Sequence, residues 1–293
     1  MILVTGATGT VGRPLIDLLL AQGAKVRAVT RDPLTASLPA TAQTVKGDPS
    51  RPETLADALQ DITALFLNPR ALGQTPDPQT VSATAARLLT LARDRGVARV
   101  VTLSALNVDH DLADQPSRLR GEYNKEVEEA AVASGMAWTA LRSGYYATNT
   151  ITSWAAQIRA GDIVRAPYPD SSWAPLHERD LAAVAAQALL TDTLTGRRPT
   201  LTGPESLTQP QMIAAVGKAI GRPLHYQQVP PEAAKQALLR SGMPEPLAEG
   251  FLTLQARSYL QHDLVTGEVE RILNRPGLPF TEWAAEHASA FRP

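Results

Sequence analysis

The sequence predicts an α/β fold: a Rossmann-like, doubly wound parallel sheet with a smaller helix-rich C-terminal lobe. Three observations carry that prediction. Short apolar runs alternate with amphipathic stretches through the first half of the chain. The first run ends on glycines spaced three apart, at Gly6, Gly9 and Gly12, and the alternation stops after about Gly144. The 293 residues allow one large domain or two modest ones, and a hydrophobic content of 44% is enough for a sizeable core. The division expected is a nucleotide-binding domain over 1–150 and a substrate lobe over 151–293, with the helix and strand near 178–202 packing back on the former.

Each element has its own signal. Ile2 to Thr5 reads as a buried strand. Thr10 to Gln22 reads as a helix, with Val11, Leu15, Leu18 and Leu19 on one face, Pro14 in the first turn and Gly23 ending it. Lys25–Thr30 and Thr44–Lys46 are the next strands. Ser50-Arg51-Pro52-Glu53 has the form of a capping box opening a helix to about Gln60. Ala64–Leu67 is a fourth strand, and the prolines and glycine of 68–78 predict a loop. Gln79–Arg95 is a long helix, Arg99–Leu103 a strand, Ser117–Ser134 a helix stopped by Gly135, and Trp138–Leu141 a sixth strand. Beyond Gly144 the chain is helix-rich, with strand candidates at Pro199–Leu201 and Leu224–Val229. Thr208-Gln209-Pro210-Gln211 marks a capped helix start, and there are proline joints at 229–231, 244–246 and 276–279.

Composition removes several functional classes. The net charge of −1 offers no electrostatic footprint for nucleic acid. No run of 18 apolar residues is present, so no membrane partner is expected. There is no cysteine, and the five histidines (His110, His177, His225, His262 and His287) show no close pairing in the sequence, so no metal site is expected. The absence of cysteine fits a reducing cytoplasm.

A strand feeding a glycine turn and then a helix makes a phosphate cradle. The helix N-terminus leaves four N–H groups unpaired and carries about half a positive charge. Gly6 allows the tight turn, Gly9 the approach of the backbone, and Gly12 the close packing of helix and strand. At the end of the second strand, an acidic residue would take the ribose 2′-hydroxyl of NAD and an arginine the 2′-phosphate of NADP. The chain reads Thr30-Arg31-Asp32, with Arg13 opening the neighbouring helix. Two guanidinium groups able to clamp a phosphate favour NADP(H) over NAD(H), with Asp32 as the rival signal.

The pattern T-G-A-T-G-T-V-G over 5–12, Thr30-Arg31, Gly47-Asp48, the segment from Glu128 to Asn149 (E-x(6)-G-M-A-W-T-A-L-R-S-G-Y-Y-A-T-N) and His177-Glu178-Arg179-Asp180-Leu181-Ala182 together resemble the NmrA-like family. This is a branch of the atypical short-chain dehydrogenases, and the chain looks nearest in type to its NADPH-dependent quinone oxidoreductases. The resemblance covers nearly the whole chain. It implies a Rossmann domain and a small C-terminal lobe, with substrate in the cleft between them. It implies that Gly6, Ala7, Thr8, Gly9, Thr10, Val11 and Gly12 hold the pyrophosphate, that Arg31 meets the 2′-phosphate and that Asp48 lies near the adenine. It also implies that Leu67, Asn68, Pro69 and Ser104 line the cofactor, and that Gly144, Tyr145, Tyr146 and Asn149 sit beside nicotinamide and substrate. Asn124 stands where the quinone-reductase type has histidine.

The usual short-chain dehydrogenase pairs a tyrosine with a lysine four residues on, and the lysine lowers the tyrosine pKa for proton donation. None of the six tyrosines here is followed by lysine at that spacing. The remaining catalytic candidates are Tyr145, Tyr123 and Ser104. Three readings stay open. One is hydride transfer from NADPH to a quinone or related conjugated carbonyl compound. The second is a non-catalytic NADP(H) sensor, and the third a tailoring reductase or cyclase of natural-product synthesis. The expected partners are a flat aromatic or quinone-like small molecule and, as a homodimer, a second copy of the chain. Trp154, Trp173 and Trp283 are read as filling the lobe and its wall, Trp138 as core, His177 as a cap or turn residue, and Glu128-Glu129 as a solvated helix face.

Overall fold

The computed structural model describes residues 1–75, 77–111, 115–260 and 264–293, without the side chains of 258–260. His262 and the side chain of Tyr259 therefore lie outside the described residues. In chain order the elements are β1 (Ile2–Val4), α1 (Gly12–Ala21), β2 (Val26–Thr30), β3 (Gln43–Lys46), β4 (Ala64–Leu67), α2 (Pro78–Asp94), β5 (Arg99–Ala105), α3 (Pro116–Leu119), α4 (Asn124–Ala133) and β6 (Ala137–Ser143). Next come α5 (Asn149–Ala160), β7 (Ile163–Ala166), β8 (Ser172–Trp173), α6 (Glu178–Leu190), β9 (Thr200–Leu201), β10 (Leu207–Thr208), α7 (Gln209–Ile220) and β11 (His225–Gln228). The chain closes with α8 (Pro231–Arg240), α9 (Glu245–Leu260), α10 (Glu268–Leu273) and α11 (Phe280–Glu286).

A seven-stranded sheet in the order β3-β2-β1-β4-β5-β6-β9 forms the centre. The strands pair in parallel, with Leu3 opposite both Arg27 and Leu65, and Val101 opposite both Phe66 and Thr139. Parallel strands covered on both faces read as continuous apolar runs, which is why β1 and β4 are buried at every position. Helices α1 and α6 pack together on one face, and α2 and α4 on the other. Leu55, Leu59, Ile62, Leu88, Leu89, Val127 and Ala131 build the core beneath the second pair.

The chain divides into two compact units. One comprises 1–109, 120–143 and 178–200, and the other 110–119, 144–177 and 201–293. The second unit has its own core of Trp154, Trp173, Met212, Ile213, Val216, Phe280, Trp283 and Phe291. Within it β7 pairs in parallel with β11, and β8 antiparallel with β10.

Several local expectations are corrected. The box at Ser50 does not form: Ser50 donates both its backbone N–H (3.1 Å) and its hydroxyl (2.7 Å) to Asp48, and only a short 3₁₀ turn, Pro52–Leu55, follows. Residues 68–78 include another 3₁₀ turn, Pro69–Leu72, capped by Asn68. The helix expected over 117–134 is broken into α3 and α4. Gly121 between them has φ +76°, and a Cβ there would stand 2.7 Å from the Thr75 carbonyl. β7, β8 and β10 were not anticipated: each is two to four residues long and lies outside the strand–helix alternation that flags the equally short β1, β3 and β4.

Candidate functional site

Ligands of doubly wound sheets bind beyond the carboxyl ends of the strands, where the strand order reverses. Here that point lies between β1 and β4. Thr5 ties the two strands there: its hydroxyl donates to the Phe66 carbonyl (3.0 Å) and accepts from the Asn68 N–H (2.9 Å). The glycine loop crosses directly above. Gly6 has φ +63°, and a Cβ on it would press on the Asn68 side chain at 2.8 Å. The Gly9 N–H closes the turn onto the Gly6 carbonyl at 3.0 Å. A Cβ at Gly12 would lie 2.2 Å from the same carbonyl oxygen. Gly12 therefore serves the packing of the loop on the helix start, where a helix–strand approach had been expected of it. No side chain caps the start of α1, but Pro14 has no N–H and those of Arg13 and Leu15 bond the Gly9 and Val11 carbonyls (3.1 Å each), so the anion-binding character rests on the helix dipole and on the backbone N–H groups of the turn ahead of Arg13. This backbone fits a pyrophosphate.

At the end of β2, Arg31 is exposed. Asp32 is spent on its own turn, accepting from the Leu34 N–H (3.1 Å) and the Thr35 hydroxyl (2.9 Å). Arg13 donates to the carbonyls of Ala36 (3.0 Å) and Ser37 (2.6 Å), bracing the loop that Arg31 opens. Asp48 is likewise a turn residue. Burial opposes its charge, but the hydrogen bonds from Ser50 and the nearby Arg51 hold its carboxyl below the usual range. Leu67 and Pro69 are buried and Asn68 half-buried where β4 ends.

The ends of β5 and β6 carry a charge cluster that the sequence did not suggest. Glu128, expected on a solvated face, is 3% exposed. It accepts from the Ser104 hydroxyl (2.6 Å), from Arg142 Nε (3.1 Å) and Nη2 (2.7 Å), and from Arg198 Nε (2.6 Å). Arg142 also reaches Asp109 (2.8 Å), as does Lys125 (3.2 Å). Burial pushes the Glu128 carboxyl up, but the hydrogen bonds from Arg142, Ser104 and Arg198 outweigh it and hold the group below its ordinary value. Arg198 lies over the ring of Trp138, 4.6 Å from its centroid, so Trp138 is a half-buried cation–π partner rather than pure core. The missed signal was Arg142. It shares the sheet face of Ala140 and Trp138, and a charge on an inward face needs a partner. The ring of Tyr123 is buried in the core that α2 and α4 share.

In the second unit, Gly144 donates its N–H to Leu201 (2.8 Å), and Tyr146 bridges to Leu176. Tyr145 stacks on Trp173 at 5.0 Å. Asn149 is exposed at the start of α5. His177, 1% exposed, has its Nε2 3.5 Å from Glu286 and its ring 6.4 Å from that of His287, an association the sequence spacing had hidden. Among the described residues no group of three or more His, Cys, Asp or Glu side chains could hold a metal, and no helix is long and apolar enough to cross a membrane.

A family model described as NAD(P)H-binding matches residues 6–192. A (4-alkanoyl-5-oxo-2,5-dihydrofuran-3-yl)methyl phosphate reductase of Streptomyces griseus is 36% identical over the full length of both chains. A NAD(P)H azoreductase of Xenophilus azovorans is 35% identical over 99% of each. In structure, the chain superposes on a NADPH-dependent quinone oxidoreductase from Escherichia coli with a TM-score of 0.77 at 24% identity, covering 98% of this chain and 99% of that one. It superposes on the transcriptional regulator NmrA with a TM-score of 0.70 at 21% identity, covering 97% and 94%. These two structures bear out the fold. With a family model spanning more than half of the chain and relatives alike along all of it, the chain belongs to the NAD(P)H-binding family, as its motifs implied.

Proposed function

We propose that the protein is an NADPH-dependent oxidoreductase that passes hydride to a quinone or a related conjugated carbonyl compound. The observation that carries the reading is the glycine loop at the strand-order reversal, where added Cβ atoms at Gly6 and Gly12 would collide and the start of α1 has no side-chain cap. Residues 6–12 would hold the pyrophosphate. Arg31 would take the 2′-phosphate, since Asp32 is occupied within its turn. Asp48 would border the adenine side, and Leu67, Asn68, Pro69 and Ser104 the rest of the cofactor. Gly144, Tyr145, Tyr146 and Asn149 would meet nicotinamide and acceptor. Bound there, the dihydronicotinamide supplies the hydride.

The acceptor class rests on the relatives' names. An azo compound, a quinone and an unsaturated lactone are all conjugated electrophiles, and each names the substrate of a similar protein. Calorimetric titration with NADPH and NADH, followed by NADPH oxidation against a panel of quinones, azo dyes and unsaturated lactones, tests the proposal. Preferential NADPH binding with turnover of at least one conjugated acceptor is expected. Binding without turnover across the panel would overturn it in favour of a sensor. Arg31→Ala should weaken NADPH binding about tenfold or more and leave NADH binding nearly unchanged, as expected for a lost charge-assisted contact of about 1.5–3 kcal/mol. Equal loss for both nucleotides would sink the 2′-phosphate assignment.

A further inference from the structure

Tyr145 is the candidate proton donor that is itself among the residues expected beside the acceptor, and its surroundings argue for a different role. Its ring is half-buried and lies nearly parallel to Trp173, with 5.0 Å between centroids and 25° between planes. Its backbone is pinned, since its carbonyl accepts the Leu176 N–H at 2.8 Å. Its hydroxyl is hydrogen-bonded to Ser153 of α5. Burial pushes that hydroxyl's pKa up and Ser153 offsets the rise only in part, with no cation among the influences on it. A proton-donating tyrosine needs the opposite setting, with a neighbouring cation to lower its pKa and a hydroxyl open to substrate.

We propose that Tyr145 is the stacking platform that selects flat conjugated acceptors, and that water, not this phenol, supplies the proton that completes their reduction. The proposal rests on the reductase reading above. In the reaction a C–H bond of the dihydronicotinamide breaks, and its hydrogen leaves with both electrons to form a new bond on the acceptor. A quinone so reduced carries its negative charge on an aromatic oxygen, with a proton affinity like that of a phenol of pKa about 10. Such an oxygen takes its proton from water without a tuned acid. An isolated ketone would become an alkoxide, which needs an acid in place as the hydride arrives. The substrate class is therefore quinones and similarly delocalised acceptors, with simple ketones and aldehydes excluded.

The test uses the whole protein, with menadione as acceptor and cyclohexanone as control. Menadione binding to the NADP⁺-saturated protein is measured by calorimetry, and kcat separately, for wild type, Tyr145→Phe and Tyr145→Leu. Tyr145→Phe is expected to keep both Kd and kcat within about twofold of wild type. Tyr145→Leu is expected to raise the menadione Kd about tenfold, with cooperative thermal unfolding reporting an intact fold. Cyclohexanone should give no turnover. A hundredfold fall in kcat for Tyr145→Phe at unchanged Kd would overturn the proton assignment. A wild-type menadione Kd in Tyr145→Leu would overturn the platform. A wild type that binds menadione yet oxidises no NADPH would instead overturn the reductase reading, and the proton assignment with it, leaving the platform to be judged on binding alone.

Discussion

Single residues decide most of what can be tested in the sheet unit. Gly12→Ala would drive a Cβ to within 2.2 Å of the Gly6 carbonyl, and backbone on both sides leaves little room to yield. A cost of about 1–3 kcal/mol and loss of nucleotide binding are expected, read by thermal unfolding and by NADPH titration. Glu128→Ala would leave Arg198 and one side of Arg142, which keeps Asp109, without the carboxylate they share, and the hydrogen bonds so unmade cost about 1–3 kcal/mol. The pH dependence follows from the same contacts. The folded-state pKa of Glu128 is depressed, so its contribution is fully present above the unfolded-state value of about 4.3 and is lost as pH falls through the lower folded value. Urea midpoints measured downward from pH 6 should fall below about pH 4.5 in wild type, and less steeply in Glu128→Gln. Glu128 also shows why residue roles were harder to read than elements. The chain gives Val127, Glu128 and Ala131 one buried patch, yet a pair of adjacent glutamates reads as solvated until the arginine of a distant strand is set beside it. The partners of Arg13 were unreadable in the same way, because they are carbonyls of a loop that carries no sequence pattern.

At the scale of elements, the strands of the main sheet and the long periodic helices were legible, and β7, β8 and β10 were not. The α2 helix, expected over 79–95, spans Pro78–Asp94, because its apolar spacing persists for four turns and Gly96 follows. The start of α7 was read from Thr208 and Gln211, and both halves of that capping box form. Ser50 and Glu53 show the same spacing without the box, since Asp48 two residues upstream outcompetes the helix for the Ser50 donors. The contrast makes a prediction. Thr208→Ala should destabilise the second unit by about 1 kcal/mol through loss of the cap. Ser50→Ala should cost less, because it removes one part-buried turn hydrogen bond and no cap. Chemical denaturation of the two variants side by side measures the difference, and equal losses would count against reading Thr208 as the cap.

For the whole molecule, the strand order shows how sequence placement becomes function. β1 and β4 are 60 residues apart in the chain, yet they meet at the reversal point, and there Asn68 takes the space that a Cβ on Gly6 would need. The alternating pattern revealed the strands, but no local signal in the chain states which strands become neighbours. The sheet unit is also discontinuous in sequence, since the chain leaves it after 143 and returns with α6 over 178–190. Nine of the thirteen residues of α6 are buried, so a fragment ending at 150 would bare one face of the sheet. That fragment should be insoluble or lack cooperative unfolding. Nucleotide binding offers the complementary test on the full chain. A ligand held only by the folded state at a hundred times its Kd adds about 2.7 kcal/mol of stability. For a unit of this size each kcal/mol moves the melting temperature by about 2–4 °C, so NADPH at that excess should raise the transition by about 5–11 °C. The same excess should leave Gly12→Ala unmoved, because that variant loses the cradle. NADH, without a 2′-phosphate for Arg31, should produce a smaller shift at equal concentration. Scanning calorimetry across the three samples reads all of this at once, and a wild-type melting temperature indifferent to NADPH would mean that the glycine turn after β1 holds no nucleotide.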